Sequence, residues 1–478
     1  MTALALIFLP IAACLILAAK PVRPGAAMLL ICVGLLTSGL SIGMAVLPAD
    51  ALPPGRFIAA DAASRLFLPL INSIFLGISA YVRSRIASAP ELREGIGRFA
   101  LLALLFLAAA NLAVTANHPG LAWMALEATT LAAAPLIMRK DAPASRLASW
   151  RYLLFSSVGL GLALLGFACL GRGMEGSAPG AGFFFDQLSG RPPASPPDAW
   201  TRMGLALVFL GLGTKLGLAP MYNWLPDVYD EAPPSVAAML GAIQFNCALV
   251  VLFRVVAGYR TENAELVTKM LVGMGLLSMA VSTFNIIATR NMKRLIAYAS
   301  INHAGVIAIG LGIGGSAAYG LVLYAISNAF IKVILFLTVG KIKASYGTKD
   351  TRRISGLLRG LPYSGAFLMV GTFALLGFPP FGSFFGELLI LSALVGSGHL
   401  LVFGAFCMLI IMTFVATGRT IFPMIWGEPR EERTWARQTF LSSSPKAFFL
   451  AALVILGLYI PPAVNMLIQE VSMALDSR

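Results

Sequence analysis

Apolar residues run in stretches of about 20 along the whole chain, separated by short connections that hold most of the charge. A run of that length crosses the ~30 Å hydrocarbon layer of a bilayer as an α-helix. The pattern predicts fourteen such segments, over 2–19, 26–47, 61–82, 97–116, 118–138, 150–170, 202–222, 233–257, 265–288, 294–313, 316–340, 363–397, 399–418 and 446–468. The first has no Lys or Arg before it, and Lys20 and Arg23 follow it. A secretory signal has the reverse order, so a retained first helix is expected.

Two segments are interrupted. The twelfth is too long for a simple span and carries Gly377-Phe378-Pro379-Pro380 in its middle. The seventh runs into Ala219-Pro220 and then the polar stretch Asn223–Glu231. Proline removes a backbone donor and ends a helix. Two broken helices at corresponding places in two halves point to an internal repeat, and in transporters such breaks lie on the transport path.

Composition changes the picture by exclusion. Hydrophobic residues make up 58% and charged residues 12%, about half the usual soluble share of ~25%. So few charges cannot solvate a globular surface, which excludes a soluble enzyme, a disordered chain and a disulfide scaffold. The net charge of +14 is strung between apolar runs and not gathered in a basic domain, so no nucleic-acid partner is expected. The odd-numbered connections and their flanks carry 24 Lys and Arg, the even-numbered ones 7. That bias places the odd connections in the cytoplasm and both termini on the outer side of a bacterial inner membrane. The largest outer connection, Gly171–Trp200, ends GRPPASPPDAW and reads as irregular. Cys14, Cys32, Cys169, Cys247 and Cys407 lie within apolar segments with no CxxC pair, and read as core packing. His118, His303 and His399 are scattered. No haem, zinc or iron–sulfur site is legible, so no cofactor is expected in this chain.

Four ionisable residues stand inside apolar segments, where such groups are expensive and mark ion or proton paths. They are Glu127 (LAWMALEATTLAAAPLI), Lys215 (GLALVFLGLGTKLGLAP), Lys332 (in Tyr319–Gly340) and Glu387 (SFFGELLILS). Burial disfavours the charged form and a nearby opposite charge restores it, so two acids and two bases that meet form switchable proton sites. The alternative is a set of inert ion pairs, which apolar packing replaces at little loss. His303 is a further relay candidate, with an unperturbed pKa of about 6.5. Asn246, Asn302 and Asn328 either bridge helices or line a wet passage. Arg151 either snorkels to the membrane face or reaches toward Glu127.

Several motifs agree in order and spacing with one family. Gly211–Ala242 (GLGTKLGLAPMYNWLPDVYDEAPPSVAAMLGA), Asn291–Gly305 (NMKRLIAYASINHAG), Asn328–Gly340 (NAFIKVILFLTVG) and Gly377–Ser392 (GFPPFGSFFGELLILS) resemble the antiporter-like, proton-translocating membrane subunits of complex I and Mrp-type antiporters. The form PMYNWLPDVYDEAP, with FNCALVVLFR and GFPPFGSFFGEL, looks nearest to the F-type subunit of hydrogenase-4, of the group 4 membrane-bound hydrogenases. The resemblance implies an all-α membrane protein of about fourteen helices, with two inverted five-helix repeats that each hold a broken helix. The corresponding parts are an N-terminal three-helix segment (1–96), a first repeat (97–260), a second repeat (261–420) and a C-terminal loop and helix (421–478).

It further implies that Glu127 and Lys215 form the interacting pair of the first half-channel. His303 would be the linking histidine, Lys332 the connecting lysine and Glu387 the terminal acid. Pro220, Gly377, Pro379 and Pro380 would make the helix breaks, and Arg151, Asn246, Asn302 and Asn328 would be supporting polar groups. Protons would pass along Lys215, His303 and Lys332 and leave past Glu387. The implied partners are other membrane subunits, among them further antiporter-like subunits and a redox module such as a hydrogenase or NADH-dehydrogenase-like arm. This chain would be a non-redox subunit of that oxidoreductase complex. Asn246 stands where many relatives have a lysine, and Asn328 where a histidine is common. The competing readings are a subunit of a multisubunit Na+/H+ antiporter without a redox arm, and a structural scaffold whose channel is inactive.

Overall fold

A computed structural model describes residues 2–19, 25–47, 55–88, 94–139, 142–175, 183–188 and 199–428, together with 440–476. In chain order its helices are α1 Thr2–Ala19, α2 Ala26–Val46, α3 Ala62–Ser88, α4 Ile96–Thr115, α5 Pro119–Ile137, α6 Pro143–Glu175, the single turn α7 Phe185–Leu188, and α8 Ala199–Leu216. Then come α9 Trp224–Glu231, α10 Pro234–Ala238, α11 Phe245–Ala288 (kinked at Asn263), α12 Met292–Ile313 and α13 Ala317–Tyr346. The last are α14 Leu357–Gly360, α15 Pro362–Leu375, α16 Gly382–Gly396, α17 Leu400–Trp426, α18 Phe440–Leu458 and α19 Pro462–Asp476. Among the described residues ten helices are long and apolar enough to cross a membrane, or eleven when the bent pair α18–α19 is taken as one. The chain is an all-α, multi-pass membrane protein.

Helices approach closely where glycine leaves room, the usual device for packing in lipid. A Cβ on Gly211 of α8 would stand 2.5 Å from the Gly159 carbonyl of α6, and one on Gly320 of α13 would stand 2.7 Å from the Gly386 carbonyl of α16. These contacts seat α8 against α6 and α16 against α13, next to the two breaks. α13 and the rod from Pro234 to Arg260 are enclosed by other helices along their lengths, whereas α17 faces mostly outward.

Both interrupted segments are broken as expected. The first ends at Leu216 and turns through Gly217 (φ 73°), with Ala219–Pro220 in cis. The second ends at Leu375 and turns through Gly377 (φ 68°), with Pro379–Pro380 in cis.

Three expectations are corrected. The final segment, expected as one helix over 446–468, is two helices bent by 72° between Leu458 and Pro462, because Pro461 and Pro462 deny donors to the turn before them. The segment expected over 233–257 is interrupted, after α10, by a wide π-helical turn, Met239–Gln244. Cys32 is exposed on α2 and Cys407 is half-buried on α17, so neither is core packing. The expected irregular connection over 171–200 lies largely outside the described residues; its described part includes the end of α6 and the turn α7.

Candidate functional site

Lys215 sits on the last turn of α8, 3% exposed, just before the first break. Its ammonium donates to Thr130 Oγ1 on α5 and lies 5.1 Å from the centre of the Tyr152 ring on α6. Gln244 Nε2 donates to the Tyr152 hydroxyl at 2.7 Å and to Thr129 Oγ1 at 3.0 Å. Glu127, one turn before Thr130 on α5, accepts from Ser157 Oγ at 2.6 Å. Its other oxygen is enclosed with no hydrogen-bond partner among the described residues. The expected Glu127–Lys215 pair is thus not a direct ion pair; Lys215 bonds Thr130 and Glu127 bonds Ser157. Trp224 Nε1 donates to the Thr214 carbonyl at 2.8 Å, closing the break against α8.

From here an aromatic chain leads inward. The ring centres of Tyr152 and Trp224 are 5.1 Å apart, those of Trp224 and Tyr229 6.4 Å, and those of Tyr229 and Phe336 4.8 Å. Phe336 lies one turn beyond Lys332 on α13. Lys332 is 2% exposed, with its ammonium 3.8 Å from the centre of the Phe245 ring. Phe245 follows the π-helical turn, a feature often found at functional sites. A Cβ on Gly241 of that turn would stand 3.5 Å from Lys332 Cδ and 3.3 Å from the Tyr229 hydroxyl. Asn246 is buried and donates to the Ala242 carbonyl at 2.6 Å, leaving its Oδ1 unpartnered among the described residues.

The spacing of four along α13 puts Tyr324, Asn328, Lys332 and Phe336 on one stripe. Asn328 is buried, and neither polar atom of its amide has a partner among the described residues. Buried amides without protein partners are places where ordered water sits. At the end of the stripe the Tyr324 hydroxyl hydrogen-bonds His303 Nδ1, with the two rings stacked at 5.4 Å.

His303, Tyr324, Asn302, Glu387 and Thr413 share a cavity of about 20 Å³ beside the second break. That volume accommodates about one water. Asn302 Nδ2 donates to Ser282 Oγ at 3.2 Å and to Thr413 Oγ1 at 3.3 Å. Glu387, on the second turn of α16, folds back on the break, and a Cβ on Gly377 would stand 3.0 Å from its Oε2. The fold therefore brings Lys332, Asn328, His303, Asn302 and Glu387 into one continuous region and Glu127 and Lys215 into another, with the π turn between them.

Arg151 points elsewhere. Its guanidinium pairs with Asp227 of α9 and not with Glu127. Asp227 also takes Arg294 at 2.7 Å, and Asp230 takes Lys349 at 2.7 Å and Arg294 at 3.2 Å. Lys293 donates to the Asp230 and Ala232 carbonyls. Burial opposes ionisation of Asp230. The Lys349 and Asn291 hydrogen bonds, with the Lys349 and Lys293 charges, outweigh it and hold the carboxyl below its usual range. Arg151 belongs to this clasp at the loop face of the first break. Among the described residues no group of three or more His, Cys, Asp and Glu side chains is placed to hold a metal ion.

Thr129, Thr130, Tyr152, Gln244 and Tyr324 were not singled out from the sequence. Gln244 carried a signal, an amide inside AIQFNCALV. The hydroxyls carried none, since Ser, Thr and Tyr are ordinary in apolar helices.

The family model for the NADH:quinone oxidoreductase/Mrp antiporter transmembrane region matches residues 116–413. The chain belongs to this family. It is 31% identical over 439 residues to a hydrogenase-4 component F homolog from Methylacidiphilum infernorum (isolate V4), covering 88% of this chain and 90% of that protein. The fold matches a chain of the archaeal membrane-bound sulfane sulfur reductase, a respiratory membrane complex. The TM-score is 0.86 at 21% identity, over 99% of this chain and 97% of the other. It also matches a chain of the Mrp complex from Dietzia sp. DQ12-45-1b, with a TM-score of 0.86 at 18% identity over 100% and 97%. Every part of the site lies inside the family region, 116–413, and the expected antiporter-like membership is met on sequence as well as fold.

Proposed function

We propose that this chain is a proton-translocating, antiporter-like membrane subunit of a redox-driven complex of the hydrogenase-4 or NADH–quinone oxidoreductase type. The observation that carries the reading is the stripe on α13. Lys332 and Asn328 are fully enclosed there, the Asn328 amide has no partner among the described residues, and the stripe ends at the cavity shared by His303 and Glu387. A purely structural tie would saturate its polar atoms, because an unpaired buried amide is costly. A conduit leaves them to water.

In this reading protons reach Lys215 through the first break, with Glu127 as its electrostatic partner across Thr130 and Ser157. They pass by Tyr152 and Gln244 to Lys332 and leave by Asn328, Tyr324, His303 and Glu387. His303 then acts between Lys332 and Glu387, not between the two lysines. The chain crosses the membrane fourteen times, with residues 1–96 forming three helices and 97–260 and 261–420 forming the two inverted repeats. The 421–478 portion closes the fold, both termini lie outside, and the clasp on α9 lies in the cytoplasm. The glycine and proline of each break recur with the same separation in both repeats, at Gly217 and Gly377 and at Pro220 and Pro380, which supports that division. Further antiporter-like subunits and a redox module are the partners.

The test is proton uptake by liposomes containing the assembled complex, driven by its electron donor. Replacing Lys332 with Met should abolish uptake while assembly is retained; uptake at the wild-type rate would overturn the reading. A cation/proton exchanger without a redox arm is the second reading, favoured by the fold match to the Mrp complex. It requires sodium–proton exchange with no electron donor present. A scaffold with an inactive channel predicts no loss from the Lys332 change.

A further inference from the structure

A cleft of about 1310 Å³ opens on the protein surface between the end of α11, the turn Thr351–Arg353 and α17, across α17 from the Glu387 cavity. It is larger than the ~300–1,000 Å³ usual for small-molecule pockets. Three exposed arginines rim it, Arg290, Arg352 and Arg419, and none of their guanidiniums makes an ion pair among the described residues. One carboxylate, Glu428, shares the rim. Among the described residues the cationic excess is therefore uncompensated.

Beneath the arginines the walls turn apolar in an ordered way. On α17 the spacing of four places Ile411, Val415 and Arg419 on one face, running from hydrocarbon depth toward the loops. Ile411 and Val415 are 62% and 58% exposed, and Ile287 on α11 is 56% exposed. An apolar lower wall under a cationic rim is the profile of one ligand class, acyl chains below a phosphate. A soluble anion would leave those walls wet, and an apolar partner helix would leave three guanidiniums unneutralised.

We propose that this cleft binds an anionic glycerophospholipid, with Arg290, Arg352 and Arg419 on its phosphate headgroup and Ile287, Ile411 and Val415 along its acyl chains. Lipid bound there ties α17, the outward-facing helix behind the Glu387 cavity, to the end of α11.

The test is titration of the delipidated complex with dioleoylphosphatidylglycerol or dioleoylphosphatidylcholine while its melting midpoint is followed. The anionic lipid should raise the midpoint saturably and the zwitterionic lipid should not. Each arginine near a membrane surface is worth about fivefold in affinity for anionic lipid, so R290Q/R352Q/R419Q should weaken it about a hundredfold. The three side chains are exposed, so the variant should fold. I411W/V415W keeps the arginines and fills the wall, and should also weaken the response. Unchanged affinity in both variants, or equal stabilisation by inorganic phosphate, would overturn the proposal. So would cross-linking of an Ile411→Cys variant to a neighbouring subunit in the intact complex.

Discussion

The two breaks share a backbone form and differ in what fills them. At the first, Lys215 is bonded to Thr130, the indole of Trp224 closes on the Thr214 carbonyl, and the Ala219 amide donates to Ser278 Oγ at 2.8 Å. At the second, Glu387 faces a cavity with room for about one water, shared with an imidazole and two side chains that hydrogen-bond each other. The first break is therefore a gripped site, in which a proton moves only if a side chain lets go of its partner. The second has room for a water, so a proton there would move by rearrangement of solvent.

The sharpest test of that contrast removes each ionisable group in turn. Lys215→Met and Glu387→Gln should both cut donor-driven proton uptake by about a hundredfold or more, the scale of losing a positioned proton-transfer group. They should differ in rescue. Glu387→Asp should restore much of the rate, because water spans the missing methylene, whereas Lys215→Arg should not. Equal rescue at the two sites would erase the distinction.

Next in size is Gly377→Ala against Gly217→Ala. Both force a side chain into the left-handed region, at about 1–2 kcal/mol. Only the Gly377 change places its Cβ 3.0 Å from a carboxylate oxygen, whereas the Gly217 change meets Leu225 Cδ1 at 2.3 Å. Similar losses of thermal stability are expected, with uptake per assembled complex falling further for Gly377→Ala. Trp224→Phe removes one hydrogen bond and should lower stability by about 1 kcal/mol, with no counterpart at the second break.

The smallest effect concerns the clasp over the first break. The Asp230 carboxyl is held below its ordinary value of 3.8, so its contribution is complete above that pH and fades as pH falls through the lowered value. For Lys349, burial is outweighed by its bonds to Asp230 and Glu231, and its pKa is raised above 10.5. Its contribution is complete below 10.5 and fades as pH rises through the raised value. Protease nicking of the α9 region should thus be flat between about pH 4 and 10 and rise outside that window. Asp230→Asn should remove the acid-side rise and cost about 0.5 kcal/mol, given the partly exposed partners.

Much of this was visible in the sequence because lipid makes charge conspicuous. Lys215, Lys332 and Glu387 stand out in apolar runs, and Gly377-Phe378-Pro379-Pro380 cannot continue a helix. Their partners were not visible. Whether Thr130 or Tyr152 faces Lys215 depends on helix rotation, which periodicity alone does not set when a helix is apolar all round. Arg151 had two outlets in sequence, and only the folding of α9 beside α6 decides for Asp227. The bend after Leu458 lay inside a run hydropathy reads as continuous, although Pro461-Pro462 marked it. Asn302 had two readings in sequence, bridging helices or lining a wet passage, and it both bonds across helices and lines the cavity beside Glu387.

The wide turn at Met239–Gln244 has a consequence for tinkering with the chain. A π turn holds one residue more than an α turn would, and each residue of an α-helix advances the phase by about 100°. Winding the same residues as an even α-helix, with none removed, would swing Phe245 and Asn246 round by about that angle relative to everything upstream. No charge would be lost, yet the ring beneath the Lys332 ammonium would rotate away, leaving two intact half-circuits with the switch between them open.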